Sequence, residues 1–140
     1  MSEQNKAIAR RFYDEVINKG NLALADALLT HDFMDHGAQG VPMNLEGFKR
    51  FATGLAAAFP DLRVTVEDMV AEGDKVAVRV TVSGTHTGVF MGSVQATGKR
   101  VTWTGIDIMR LRDGKIAERW NHRDLLGLLQ QLGVAPSPGR

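Results

Sequence analysis

The chain has 140 residues, long enough for one domain with a sizeable core, and its 44% hydrophobic and 24% charged residues are ordinary for a globular protein. A net charge of +1 without any basic run argues against nucleic acid or an anionic membrane as partner, and zero cysteines exclude disulfides, thiolate catalysis and cysteine-ligated metals. The N-terminal MSEQNKAIARRF lacks an apolar signal core and no stretch approaches transmembrane length, so a cytoplasmic location is expected.

Residues 3–19 read as an amphipathic helix, with Ile8, Ala9, Phe12, Tyr13, Val16 and Ile17 recurring at spacings of three and four. Tyr13 lies on that apolar side yet carries a hydroxyl, which either reaches water from the core or points into a pocket as a donor. Lys19-Gly20-Asn21 ends the helix, and Asn21 can cap a second, short one through Leu29. Thr30 to Gly37 then holds two histidines and two aspartates. There is no i, i+4 histidine pair, so the expectation is no metal site but a turn entering a short strand that ends at His36, a candidate pocket residue.

Asn44 can cap a third helix, Leu45 to Phe59, which Phe59-Pro60-Asp61 stops. Leu62–Glu72 and Lys75–His86 read as strands joined at Gly73-Asp74, a turn that pairs Glu72 with Lys75 and Asp68 with Arg79. Residues 85–98 form a loop of the length that often covers a site, with Val89, Phe90 and Met91 exposed and Phe90 a candidate ligand contact. His86 either shapes that loop or donates into the pocket. The tail at 135–140 is Pro/Gly-rich and reads as loose.

The stretch from Val101 to Gly133 organises the rest, as strand, tight turn, strand and short helix. Asp113-Gly114 is a strong type I′ hairpin signal. Uninterrupted pairing from that turn sets Asp107 against Trp120, Gly105 against His122 and Trp103 against Asp124, all on one face. A face that mixes indoles with ionisable groups reads as a pocket wall rather than a plain core strand. Asp124 also precedes Leu125-Leu126-Gly127, where aspartate is a preferred N-cap, and the two roles are compatible. His122 reads either as a donor or as a rim histidine. Helices set apart from an antiparallel sheet define an α+β domain spanning 1–140. The expected architecture is three N-terminal helices packed in the concave side of a strongly curved, mainly antiparallel sheet, an α+β cone with a short C-terminal helix.

The motifs Phe59-Pro60-Asp61, Gly84-Thr85-His86-x-Gly88, Thr97-Gly98-Lys99, Asp113-Gly114-Lys115-Ile116, Glu118-x-Trp120-x-x-x-Asp124 and Gln131-Leu132-Gly133 resemble those of the SnoaL-like polyketide cyclases, of the nuclear-transport-factor-2-like cone fold. The resemblance implies intramolecular aldol ring closure, or a related proton transfer, on a flat apolar carbonyl compound, with neither metal nor cofactor. It implies Asp124 as acid/base and, more loosely, Asp107 and Tyr13 as pocket groups. A base of this kind needs a pKa raised toward neutrality, which indole walls supply by desolvation. The enolate needs donors, for which Tyr13, His36, His86, His122, Trp103 and Trp120 are the candidates. The alternatives are a non-catalytic small-molecule-binding protein and a hydroxylase- or isomerase-like branch of the same fold. An outer sheet face with valine and isoleucine, together with the resemblance, leads to the expectation of a homo-oligomer, a dimer or tetramer.

Overall fold

A computed structural model describes residues 2–37 and 41–136. Helix α1 (Ser2–Arg11) runs directly into a wider π-helical segment, Phe12–Ile17, and is followed by α2 (Leu22–Leu28), β1 (Leu29–His36), β2 (Pro42–Asn44) and α3 (Leu45–Ala58). Strands β3 (Arg63–Glu72), β4 (Lys75–Thr85), β5 (Arg100–Arg112) and β6 (Lys115–Arg123) follow, and α4 (Leu125–Gln131) closes the order. The caps expected from sequence form: Asn21 accepts from the Leu24 N–H at 3.2 Å, and Asn44 from the Gly47 N–H at 2.9 Å.

The strands form a single sheet in the order β2-β1-β6-β5-β4-β3, antiparallel throughout except where β1 runs parallel to β6. The Gly73-Asp74 hairpin pairs Glu72 with Lys75 and Asp68 with Arg79, whose side chains form an exposed ion pair at 3.1 Å. The first three helices and the sheet's inner face enclose a core that includes Phe12, Phe33, Phe48, Phe59, Val78, Val80 and Met109. Two polar clasps fix the frame. Asn18, just past the π-helical segment, donates to the Val64 carbonyl at 2.9 Å and accepts from the Val64 N–H at 2.7 Å, so the helix end is tied to β3. Asp61 accepts from the Thr85 N–H and hydroxyl at 2.7 and 2.8 Å, which ties the Phe59-Pro60-Asp61 stop to the end of β4.

The β5–β6 hairpin corrects the register. Asp113 and Gly114 both have positive φ, 53° and 77°, as a type I′ turn requires, and Arg112 pairs with Lys115 and Leu111 with Ile116. Beyond those pairs the register slips by one at Ala117, and Arg110 faces Glu118, Asp107 faces Asn121 and Gly105 faces Arg123. This is a β-bulge: Ile116 and Ala117 are both buried, and the extra residue exchanges the two faces of β6 from there on. Trp103 and Asp107 of β5 point inward as expected, and Ile106 and Ile108 outward. On β6 it is Arg119, Asn121 and Arg123 that turn inward, while Trp120 and His122 face outside.

Candidate active site

A cavity of about 450 Å³ opens between sheet and helices. Its walls are apolar: Phe48, Phe51 and Leu55 of α3, Trp103 of β5, Leu125 and Leu128 of α4, and Phe90 and Met91 from the loop after β4. Phe90 is buried while its neighbours Val89 and Met91 are about half exposed, so the loop inserts one ring and presents the rest to solvent. His86 anchors that loop. Its Nδ1 accepts from the Thr97 N–H at 3.2 Å, which makes Nε2 the protonated nitrogen, and its ring packs against Phe59 at 5.3 Å between centroids. Phe59 in turn packs on Trp103 and Phe90, so loop, helix end and cavity wall share one aromatic cluster.

The cavity's polar floor is Tyr13, Arg119, Asn121 and Arg123. Directly behind it lies Asp107, fully buried, whose Oδ2 accepts from the Tyr13 hydroxyl, from Arg119 Nη2 at 2.9 Å and from Arg123 Nη2 at 3.0 Å. Its Oδ1 accepts from Arg123 Nη1. Arg119 reaches on to a second buried carboxylate, with Nη1 donating to Asp35 Oδ2 at 2.7 Å. Two guanidiniums and two carboxylates therefore balance in charge. Gly105 makes room for this arrangement, because a Cβ there would lie 2.7 Å from Arg123 Cδ and would also collide with the His122 carbonyl. The π-helical segment supplies Tyr13 and Phe12, and the Arg119 guanidinium lies 5.2 Å from the Phe12 ring centroid.

Burial pushes the Asp107 carboxyl up, but Arg119, Arg123 and the Tyr13 hydroxyl outweigh it and hold the group below the usual carboxylate range. The expectation of a pocket carboxylate raised toward neutrality therefore does not fit Asp107. Burial also pushes the Tyr13 phenol far above its ordinary value, with the Asp107 charge adding to the effect and Arg119 opposing it only in part. Arg119 stays cationic although it is buried, because Asp107 and Asp35 face it.

The other sequence-derived candidates lie elsewhere. Asp124 is exposed at the start of α4, where its Oδ1 accepts from the Gly127 N–H at 2.9 Å, and it is not among the residues lining the cavity. Its supposed opposition to Trp103 rested on the register that the bulge overturns. Trp120 and His122 line a shallow groove on the outer sheet face with Lys75, Ile106 and Ile108, again because of the bulge. His36 stacks on Trp120 with centroids 5.3 Å apart, and its Nε2 meets Glu118 Oε2 at 2.9 Å. Glu118 also takes a hydrogen bond from Arg110 at 2.8 Å, and His36 and Arg110 hold its carboxyl below the ordinary range. Among the described residues no group of three or more histidines and carboxylates converges as a metal site. No helix of the described chain is long and apolar enough to cross a membrane.

An apolar cavity under a curved sheet, with a buried ionic floor, defines a pocketed α+β cone. The sequence profile of the SnoaL-like polyketide cyclases matches residues 7–132, and the chain belongs to that family. It is 31% identical over 130 residues to aklanonic acid methyl ester cyclase DauD of Streptomyces sp. strain C5, covering 89% of this chain and 80% of DauD. Among solved structures, AclR of Streptomyces galilaeus, proposed to be a hydroxylase, superposes with a TM-score of 0.87 at 32% identity, covering 98% of this chain and 89% of that one. IdmH of Streptomyces antibioticus, proposed to be a polyketide cyclase, gives 0.82 at 35% identity, covering 94% and 99%. The fold is that of the nuclear-transport-factor-2-like proteins.

Proposed function

We propose that the protein is a cyclase-type acid/base enzyme that needs no cofactor and acts on a neutral, apolar carbonyl compound by aldol ring closure or a related proton transfer. The observation that carries this reading is the Tyr13–Asp107–Arg123 cluster at the floor of an apolar cavity. The chain's likeness to a methyl ester cyclase supports the same reaction class.

Asp107 sits one layer behind the cavity, so it acts through Tyr13. The Tyr13 oxygen takes a proton from the carbon beside the substrate carbonyl as its own proton passes to Asp107. Negative charge leaves Asp107 and appears on the enolate oxygen, which Arg123 and Asn121 can face from the floor. The charge stays within reach of the same guanidiniums, and this offsets the low basicity of the carboxylate. The enolate carbon attacks a second carbonyl of the same molecule, and the new alkoxide recovers the proton through Tyr13. The test is deuterium exchange at the central carbon of a 1-aryl-1,3-diketone, followed by NMR in D₂O. Tyr13→Phe should slow exchange about 10²–10⁴-fold with affinity unchanged. Exchange at the wild-type rate in Tyr13→Phe would remove the tyrosine and the relay with it.

A second reading is a binding protein without turnover. It is favoured by the four hydrogen bonds that already occupy Asp107. Tight binding of the diketone with no exchange above background in the wild type would select it. In either case we expect a homodimer packed through the outer sheet face, where Ile106 and Ile108 are 56% and 40% exposed.

A further inference from the structure

Three apolar side chains border the cavity and yet stand largely in solvent: Val41 is 70% exposed, Met91 48% and Phe51 44%. They mark the cavity's mouth, and they come from three separate segments, the residue before β2, the loop after β4, and α3. Met91 sits there against its backbone preference. Its φ is 55°, in the left-handed region that glycine or asparagine takes more readily, and Gly92 follows at 73°. A flexible thioether kept at such a position points to a contact rather than to the needs of the turn. The surroundings are also free of charge. From Phe51 to the end of α3, along residues 87–98 and throughout α4 there is no charged residue, in a chain where 24% are charged. A protein partner is usually oriented by polar and charged groups around an apolar centre, and these segments supply no charge for that. An apolar group leaving the cavity, by contrast, meets Val41, Phe51 and Met91 as a direct continuation of the walls.

We propose that the ligand outgrows the cavity. With its carbonyls at the Tyr13–Arg123 floor, it extends an alkyl chain through the mouth, where Val41, Phe51 and Met91 clasp it. The ligand class is thus a carbonyl compound bearing an alkyl chain that is neutral to its end, since no charge waits for it in those segments. The inference rests on the reading above and deepens it by naming the substrate class.

Calorimetric titration with the 1-phenyl-1,3-diones of butane, hexane, octane and decane tests it. Full burial of one CH₂ is worth about fourfold in affinity. With half the added chain in contact, the wild type should bind the decane compound on the order of 10²-fold more tightly than the butane compound. The readout is that ratio, measured within each protein, so a general loss of folding or affinity leaves it unmoved. Met91→Asn, which suits a left-handed backbone, and Phe51→Gln, which suits a helix, should each cut the ratio about tenfold. Val70→Thr, at an equally exposed valine outside the cavity lining, should leave it intact. A wild-type affinity that does not depend on chain length would overturn the proposal, as would a ratio that survives in both mouth variants. Flotation of the wild type with phosphatidylcholine vesicles, lost in Met91→Asn while the ratio stays, would assign the mouth to a lipid surface instead. Binding of the butane compound with no gain from the chain sinks this inference alone. Failure of all four diones to bind sinks the apolar-carbonyl reading together with it.

Discussion

Asp107→Asn tests the ionic floor most directly. The substitution keeps the shape of the side chain and removes a fully buried charge that faces Arg119, Arg123 and Tyr13. Arg119 retains Asp35 at 2.7 Å, whereas Arg123 loses the carboxylate it pairs with. Removing one partner of a buried ion pair typically costs about 3–5 kcal/mol. A 140-residue domain unfolds with an entropy of roughly 0.3 kcal/mol per degree, so the melting temperature should fall by about 10–17 °C at pH 7. The pH dependence fixes the cause. Because the folded-state pKa of Asp107 is depressed, its stabilisation is fully present above the unfolded value, about 3.9, and is lost as pH falls through the folded value. Thermal unfolding of both proteins from pH 7 to pH 3 should therefore show the widest gap at pH 7 and a narrowing gap below about pH 4. A gap of under 3 °C at pH 7, or one that stays constant into acid, would refute the argument that a charged, paired Asp107 holds the floor together.

Asp124→Asn should leave melting and diketone exchange unchanged, since asparagine caps a helix as well as aspartate does, and Asp124→Ala should cost about 1 kcal/mol of stability. Collapse of exchange in Asp124→Asn would return Asp124 to the mechanism from outside the cavity wall. Light scattering should give twice the 15.3 kDa chain mass for the wild type and the single mass for Ile108→Asp. A monomeric wild type at micromolar concentration would contradict assembly through the outer sheet face.

Most of the fold was legible because its signals are local. Asn21 and Asn44 announce their helices through a single side-chain acceptor each, and Gly73-Asp74 and Asp113-Gly114 announce their hairpins through backbone conformation. What escaped depends on distant partners. The π-helical segment that continues α1 ends at the clasp between Asn18 and Val64, a contact across 46 residues that local pattern does not announce. The β2 strand, three residues long and two of them exposed, has no periodicity to read.

The site was half legible, and the dividing line is Ala117. Before the bulge, alternation along β5 correctly turned Trp103 and Asp107 inward; after it, every inference about β6 was displaced by one residue. A signal was nevertheless present in the residues. Uninterrupted pairing puts Arg119 on a face with Ile106 and Ile108 and leaves the two aspartates among indoles with no cation to answer them. Burying carboxylates that way costs several kcal/mol, whereas slipping β6 by one residue brings Arg119 and Arg123 onto the face of Asp107. The same slip carries Trp120 and His122 outward and Asn121 inward. Charge balance across neighbouring strands thus carries register information that a turn motif alone does not. In this chain it identifies the bulge, the polar floor and the arginines as parts of one arrangement.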